Sequence, residues 1–199
     1  MVAKSLRRIG SSGGTGWLLA GYAGAGGFFL QELFLRKRGS ASSLNASADD
    51  EGTTRTLLAS SGLAAALPAA LRRLPLPPMH WTSAALGLTL QAGGFVLRVW
   101  SMRTLGSFYT RTLRTAQDQR VVDTGPYRMI RHPGYSGALL VWIGLALTSR
   151  SAPAAALVAV VMGRAYRRRI AAEEKLLRRE LPEYGDYSRR TKKLVPLIW

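Results

Sequence analysis

Gly125-Pro126-Tyr127-Arg128-Met129-Ile130-Arg131-His132-Pro133-Gly134-Tyr135-Ser136-Gly137 runs directly into an uncharged apolar block that continues to Ser149. A second apolar block, Ser151 to Tyr166, then runs out into Arg169-Ile170-Ala171-Ala172-Glu173-Glu174. Two polar clusters therefore bracket a hydrophobic hairpin, and closing the hairpin brings them together. The first cluster holds glycines, prolines, two tyrosines and one of the chain's two histidines, a composition suited to a site and poor for a core.

Outward from the hairpin the same alternation of apolar and basic blocks continues. Gly16 to Leu35 is apolar apart from Gln31 and Glu32, Leu57 to Leu71 is alanine-rich with Pro68 inside it, and Trp81 to Trp100 carries only Arg98. A bilayer span takes about 20 apolar residues, with roughly 17 as a minimum. Gly, Ala and Ser dominate these blocks, as in helices that pack closely within lipid, and Trp17, Trp81, Trp100, Trp142 and Trp199 fall mostly near block ends, the interfacial position. The expected fold is all-α: a polytopic integral membrane protein of about five transmembrane helices. A soluble helical domain is the other reading, but helices apolar all round need burial and 199 residues provide little protein to bury them in. Lys4, Arg7 and Arg8 before the first block resemble the start of a signal peptide. Glu32, Phe34 and Leu35 then stand where small cleavage-site residues belong, so a retained anchor is expected.

The net charge of +17 calls for an anionic partner. With the carboxyl terminus cytoplasmic and five spans, the inside segments from Arg36 to Arg55, from Arg103 to Arg131 and from Arg164 onward carry four, six and eleven basic residues. The outside segments carry three, two and one, so the positive-inside tendency favours this orientation and places both polar clusters on the cytoplasmic side. Anionic membrane lipids then account for the charge, and no nucleic acid is required. The absence of cysteine and the wide separation of the two histidines exclude thiolate sites and suggest no metal.

Two parts are expected: residues 1–100, with N-terminal transmembrane helices and a flexible loop near 39–54, and residues 101–199, with the cofactor motif, the hairpin and a basic tail. Leu74-Pro75-Leu76-Pro77-Pro78 stops any helix before Trp81. Glu173 to Leu181 reads as a charged amphipathic helix ended by Pro182, Glu183 to Tyr187 as a turn, and Leu194 to Trp199 as a return to the interface.

Gly125-Pro126-Tyr127, Arg131-His132-Pro133-Gly134-Tyr135-Ser136-Gly137, Arg169 to Glu174, Glu183-Tyr184-Gly185-Asp186-Tyr187 and Val195-Pro196 together resemble the isoprenylcysteine carboxyl methyltransferases, in order, spacing and intervening hairpin. The likeness covers roughly Ser101 to Trp199 and extends to the wider group of integral-membrane methyltransferases, which includes phospholipid N-methyltransferases. It implies S-adenosylmethionine as cofactor and a prenylated cysteine, on a protein or a small lipid analogue, as acceptor. Tyr127, His132, Pro133, Gly134, Tyr135 and Glu173 match the family's cofactor contacts. Gln119, Val121 and Val122 stand in for a His-x-Leu-Val run, with Gln119 in place of the histidine. Arg169 matches the arginine that receives the substrate, and with Glu173 it makes the expected catalytic pair. Such a protein belongs in the endoplasmic reticulum membrane of a eukaryote or the plasma membrane of a prokaryote.

Residue chemistry bears on the same roles. Arg169 and Glu173, four apart, share one helix face, which is equally the spacing of an ordinary intrahelical ion pair worth a few tenths of a kcal/mol. A carboxylate acceptor is already anionic and needs no base, and an arginine fork suits it. An amine acceptor needs a base and is repelled by a lone arginine. A phospholipid or small-amine N-methyltransferase and a non-enzymatic basic protein binding anionic lipids are the remaining alternatives.

Overall fold

A computed structural model describes residues 2–35, 50–109 and 120–195. These residues form α1 (Val2–Leu35), α2 (Thr53–Leu71), α3 (Trp81–Leu105), α4 (Pro133–Thr148), α5 (Ala152–Glu180) and α6 (Tyr184–Arg190). Short 3-10 turns cover Gly106–Phe108 and Gly125–Arg128. Among the described residues extended pairing is confined to one parallel bridge, between Ile130 and Lys192.

Local chemistry sets the helix boundaries. α3 begins where the proline run ends and is capped by His80, whose Nδ1 accepts from the Thr82 N–H. Pro133 opens α4 in the first-turn position where a missing N–H costs nothing. Ser151 caps α5 by accepting from the Ala154 N–H, and Pro182 follows its end. The apolar block and the charged stretch after it are one continuous helix. Glu183 to Tyr187 is not a turn: Tyr184 and Tyr187 lie on one face and bury their rings against Leu181, Val121 and Leu177, enough to draw the segment into α6 despite Gly185.

α3 and α4 make the most extensive helix contact. Gly87 and Gly94 on α3 face Gly144 and Gly137 on α4, backbone against backbone. α1 crosses both, with Gly21 against Thr148 and Gly24 against the Gln91 amide, which donates to the Gly21 carbonyl at 2.9 Å. α2 packs on α5, and the Tyr22 hydroxyl ties α1 to it through the Ala65 carbonyl at 2.6 Å. Leu145, Val141, Val158 and Met162 fill the centre. Trp142, expected at an interface, is instead 2% exposed there, edge-on to Phe29. Trp81 and Trp100 do stand exposed at the two ends of α3.

Among the described residues no helix is long and apolar enough to cross a membrane. α4 has 16 residues, about 24 Å of helix, against roughly 30 Å of hydrocarbon. α1 and α3 are longer, but glycines, hydroxyl side chains, Gln and Arg dilute their hydropathy. The five expected spans thus correspond to α1 to α5, none of which carries the hydropathy of a span.

Candidate methyl-transfer site

The hairpin closes as expected, its reversal at Ser149-Arg150-Ser151 pinned to Met79 by reciprocal hydrogen bonds of 2.8 and 2.7 Å. At the opposite end, the start of α4, the start of α2 and the polar half of α5 converge. Glu173, one turn beyond Arg169, accepts from the Tyr135 hydroxyl at 2.6 Å. Arg169 Nε donates to that hydroxyl at 3.3 Å. The His132 ring stacks on Tyr135, centroids 5.6 Å apart and planes within 13°, and Tyr166 closes on Tyr135 at 5.3 Å. Arg169, His132, Tyr135 and Glu173 are therefore one cluster, and Pro133 sets it by starting α4 directly after His132.

The other expected contacts lie differently. Tyr127 is buried, with its phenol against Ser101 of α3, and burial above all holds it protonated well beyond its ordinary range. Gly134 faces α3, where its carbonyl accepts from Arg98 at 3.1 Å and a Cβ would come 3.2 Å from the Ser101 hydroxyl. Val121 packs on the tyrosines of α6, and Val122 is half-buried. Gln119 lies outside the described residues, as do residues 36–49 of the expected flexible loop and Pro196 to Trp199 of the tail.

Two carboxylates to which the sequence reading gave no site role complete the cluster. Glu174 accepts from Arg131 Nε at 2.9 Å and lies 3.2 Å from His132 Nε2. Arg131 is consequently buried, its Nη1 donating to the carbonyls of Ser188 and Thr191. Asp50, 1% exposed, takes Arg169 Nη1 in a buried ion pair. Burial would raise the Asp50 carboxyl, but hydrogen bonds from Thr54 and Thr53 and the Arg169 charge bring it below its ordinary value. Asp50 had a sequence signal: an Asp shortly before Thr53-Thr54 and an apolar helix can accept from the free N–H groups of that helix's first turn, as it does from Thr54. The tail then covers the loop, with Arg131 N–H and His132 N–H donating to the Lys192 and Lys193 carbonyls at 2.7 and 3.0 Å.

Burial likewise opposes ionisation of Glu174, and the hydrogen bonds and charges of His132 and Arg131 overcome it, holding the carboxyl down at about 2 from an ordinary 4.5. A depressed carboxyl stabilises the fold above its unfolded value and loses that contribution as pH falls through its folded one. The thermal midpoint of the wild type is expected to fall from about pH 4.5 to about 2 more steeply than that of Glu174→Gln, measured side by side in detergent.

The family model for phospholipid methyltransferases matches residues 82–183, from the start of α3 to just beyond α5. The chain belongs to the phospholipid methyltransferase family. Among relatives of this family member, protein-S-isoprenylcysteine O-methyltransferase B of Arabidopsis thaliana is 30% identical over 122 residues, 60% of this chain and 62% of that protein. The nickel-cobalt-cadmium resistance protein NccN of Alcaligenes xylosoxydans xylosoxydans is 35% identical over 119 residues, covering 59% and 53%. The chain thus spans less than two thirds of the length of these curated relatives. Its fold resembles the solved eukaryotic intramembrane Ras methyltransferase ICMT, with a TM-score of 0.54 and 24% identity over 75% of this chain and 51% of that one. The family match contains the α3–α4–α5 core and Arg131, His132, Tyr135, Arg169, Glu173 and Glu174. Asp50 and Lys192 lie outside it.

Proposed function

We propose that this phospholipid methyltransferase family member transfers a methyl group from S-adenosylmethionine to the carboxylate of an isoprenylcysteine, giving the methyl ester. The observation that carries the reading is the Tyr135–Glu173 hydrogen bond, which joins the two sequence clusters at one end of the bundle beside His132 and Arg169. The relatives named as protein-S-isoprenylcysteine O-methyltransferases support the same acceptor.

The residues fit the cofactor. Glu173 has a side chain 28% exposed, and its ring neighbours Tyr135 and His132 offer aromatic faces. Arg131 pairs with Glu174, which Arg178 and Lys193 also approach at 3.8 and 3.7 Å, and Arg169 pairs with Asp50; Glu173, held by the neutral Tyr135 hydroxyl with His132 Nδ1 3.9 Å away, is the carboxylate suited to a cation. When bound, the cofactor supplies an electrophilic methyl on a sulfonium. Glu173 holds its positively charged part, His132 and Tyr135 stack on its flat part, and Pro133 and Gly134 fix the turn that presents them. Tyr127 lies in the loop that leads to that turn, with Val121 and Val122 before it. Arg169 takes a share of the acceptor carboxylate with its oxygen aimed at the methyl, and no proton has to move. Positioning and exclusion of water are what these residues contribute.

The protein does this in a membrane, with the site on the cytoplasmic side. Leu19, Leu58, Leu86, Val96, Leu157 and Val160 point outward from the helices as a lipid-facing surface would require. That membrane is the endoplasmic reticulum in a eukaryote and the plasma membrane in a prokaryote.

One observation favours a second reading. Asp50 offsets the Arg169 charge, which removes much of the repulsion an ammonium would meet, so an amine acceptor such as phosphatidylethanolamine is compatible with the cluster. Purified protein incubated with radiolabelled S-adenosylmethionine and either farnesylcysteine or phosphatidylethanolamine separates the two. A base-labile label on farnesylcysteine is the expected result. Label on phosphatidylethanolamine alone establishes the second reading; label on neither, with no cofactor binding in calorimetry, overturns both.

A further inference from the structure

Asp50 is separated by 119 residues from the arginine it holds. Its own helix start fixes it: the Thr54 N–H donates to Oδ2 at 3.0 Å, and the hydroxyls of Thr54 and Thr53 donate to Oδ1 at 2.7 and 3.1 Å. Arg169 Nη1 enters the same cradle, pairing with Oδ1 and reaching the Thr53 and Thr54 hydroxyl oxygens at 2.9 and 3.1 Å. From another edge of the guanidinium, Nε reaches the Tyr135 hydroxyl, which in turn donates to Glu173. We infer that Asp50 is a positioning residue of the site, acting through Arg169 and Tyr135 to hold the Glu173 carboxylate available to a cationic ligand. The inference rests on the reading of Glu173 as the carboxylate that meets the methyl donor.

The physical reason is competition for one guanidinium. Arg169 and Glu173 occupy the same helix face one turn apart, and a buried arginine without a counterion seeks the nearest carboxylate. With Asp50 in place, Arg169 Nη1 is bonded on the α2 side and the guanidinium meets Glu173 through the Tyr135 hydroxyl between them, which leaves the exposed part of the carboxylate to a ligand. Without Asp50 the guanidinium swings onto Glu173, neutralises it and draws it away from the Tyr135 hydroxyl. Neighbouring Glu51 shares none of this: it pairs with Lys175 on the surface, both side chains more than half exposed.

Two measurements on the full chain in detergent test the inference. In calorimetry with S-adenosylmethionine, Asp50→Asn is expected to weaken binding about tenfold or more, the size of effect typical of a lost supporting contact, and Glu51→Gln is expected to leave it unchanged. If Asp50→Asn fails to fold, Thr53→Val removes one contact to Arg169 and is expected to weaken binding about two- to threefold, a fraction of that loss. In unfolding experiments, Asp50→Asn and Glu173→Gln are expected to be non-additive, because they compete for one arginine. Unchanged affinity in a folded Asp50→Asn or Thr53→Val variant, or an additive cycle, overturns the positioning role. A wild type that binds no cofactor counts against the proposed function instead, and the unfolding cycle still decides whether Asp50 and Glu173 are coupled.

Discussion

Arg169→Ala is expected to abolish methyl transfer and to destabilise the protein at the same time. The substitution removes a guanidinium that is 3% exposed and leaves Asp50, 1% exposed, as a buried carboxylate without its counterion. Breaking a buried pair from one side costs about 3–5 kcal/mol, since the stranded charge must be hydrated or protonated. On the proposed role of Arg169, activity is lost for a second reason: the acceptor has no guanidinium to orient it, and a preorganised charge contact of this kind is worth about 10²–10³-fold in rate. Arg169→Lys separates the two effects. It keeps a charge for Asp50 but has no planar fork to reach Tyr135 as well, so stability should recover more than turnover. Single-turnover methylation and unfolding of the three proteins provide the test; an Arg169→Ala protein as stable and as active as the wild type would remove Arg169 from both roles.

The second large effect concerns the seam between α3 and α4. A Cβ on Gly94 would sit 2.4 Å from the Gly137 carbonyl oxygen, 2.9 Å from the Leu140 Cβ and 3.1 Å from the Val141 nitrogen. Two of these three are backbone atoms, so no rotamer change relieves the clash and the helices must part. Overpacking typically costs about 1–3 kcal/mol, and Gly94→Ala is expected near or above the upper end, because Gly87 and Gly144 along the same seam lose their fit together. Gly93→Ala is the control: a Cβ there meets nothing within 4 Å, and alanine is favoured over glycine in a helix by about 1 kcal/mol. The neighbouring substitutions should therefore move the thermal midpoint in opposite directions. The first should also reduce activity in the folded fraction, because α4 carries His132 and Tyr135 on its amino-terminal side. Equal midpoints would show that the seam tolerates separation.

The sequence reveals what depends on local chemistry. Pro133, Ser151 and Pro182 mark helix ends, and the hairpin that joins the two polar clusters follows from block lengths alone. It reveals less where rotation or distance decides. Glu173 and Glu174 are consecutive, so they point about 100° apart on a helix. Which of them turns toward Arg131 depends on how α5 is rotated against the loop before α4, and packing sets that rotation. Both turn out to matter: Glu173 faces Tyr135, and Glu174 faces Arg131 and His132. Asp50 is read as part of a linker because its composition is polar. Its partner, Arg169, is reached only after α2 has docked on α5, an event no periodicity encodes. Trp142 reads as an interfacial ring for the same reason, since its place in the core comes from the crossing of α1 over α4.

The pairing of Ile130 with Lys192 separates the assembly of the bundle from the completion of the site. The contacts that stack α1 to α5 need nothing beyond Leu181, because every residue of the α3–α4 seam and the hairpin lies before it. Arg131, His132 and Ser136 nonetheless wait for the carbonyls of Thr191, Lys192, Lys193 and Leu194. A chain cut before Lys192 would keep every helix found among the described residues and still lack the cover over the loop that carries His132. Thr191 to Leu194 thus act as a latch over the loop that carries His132, and the cluster takes its final shape only once that latch is closed.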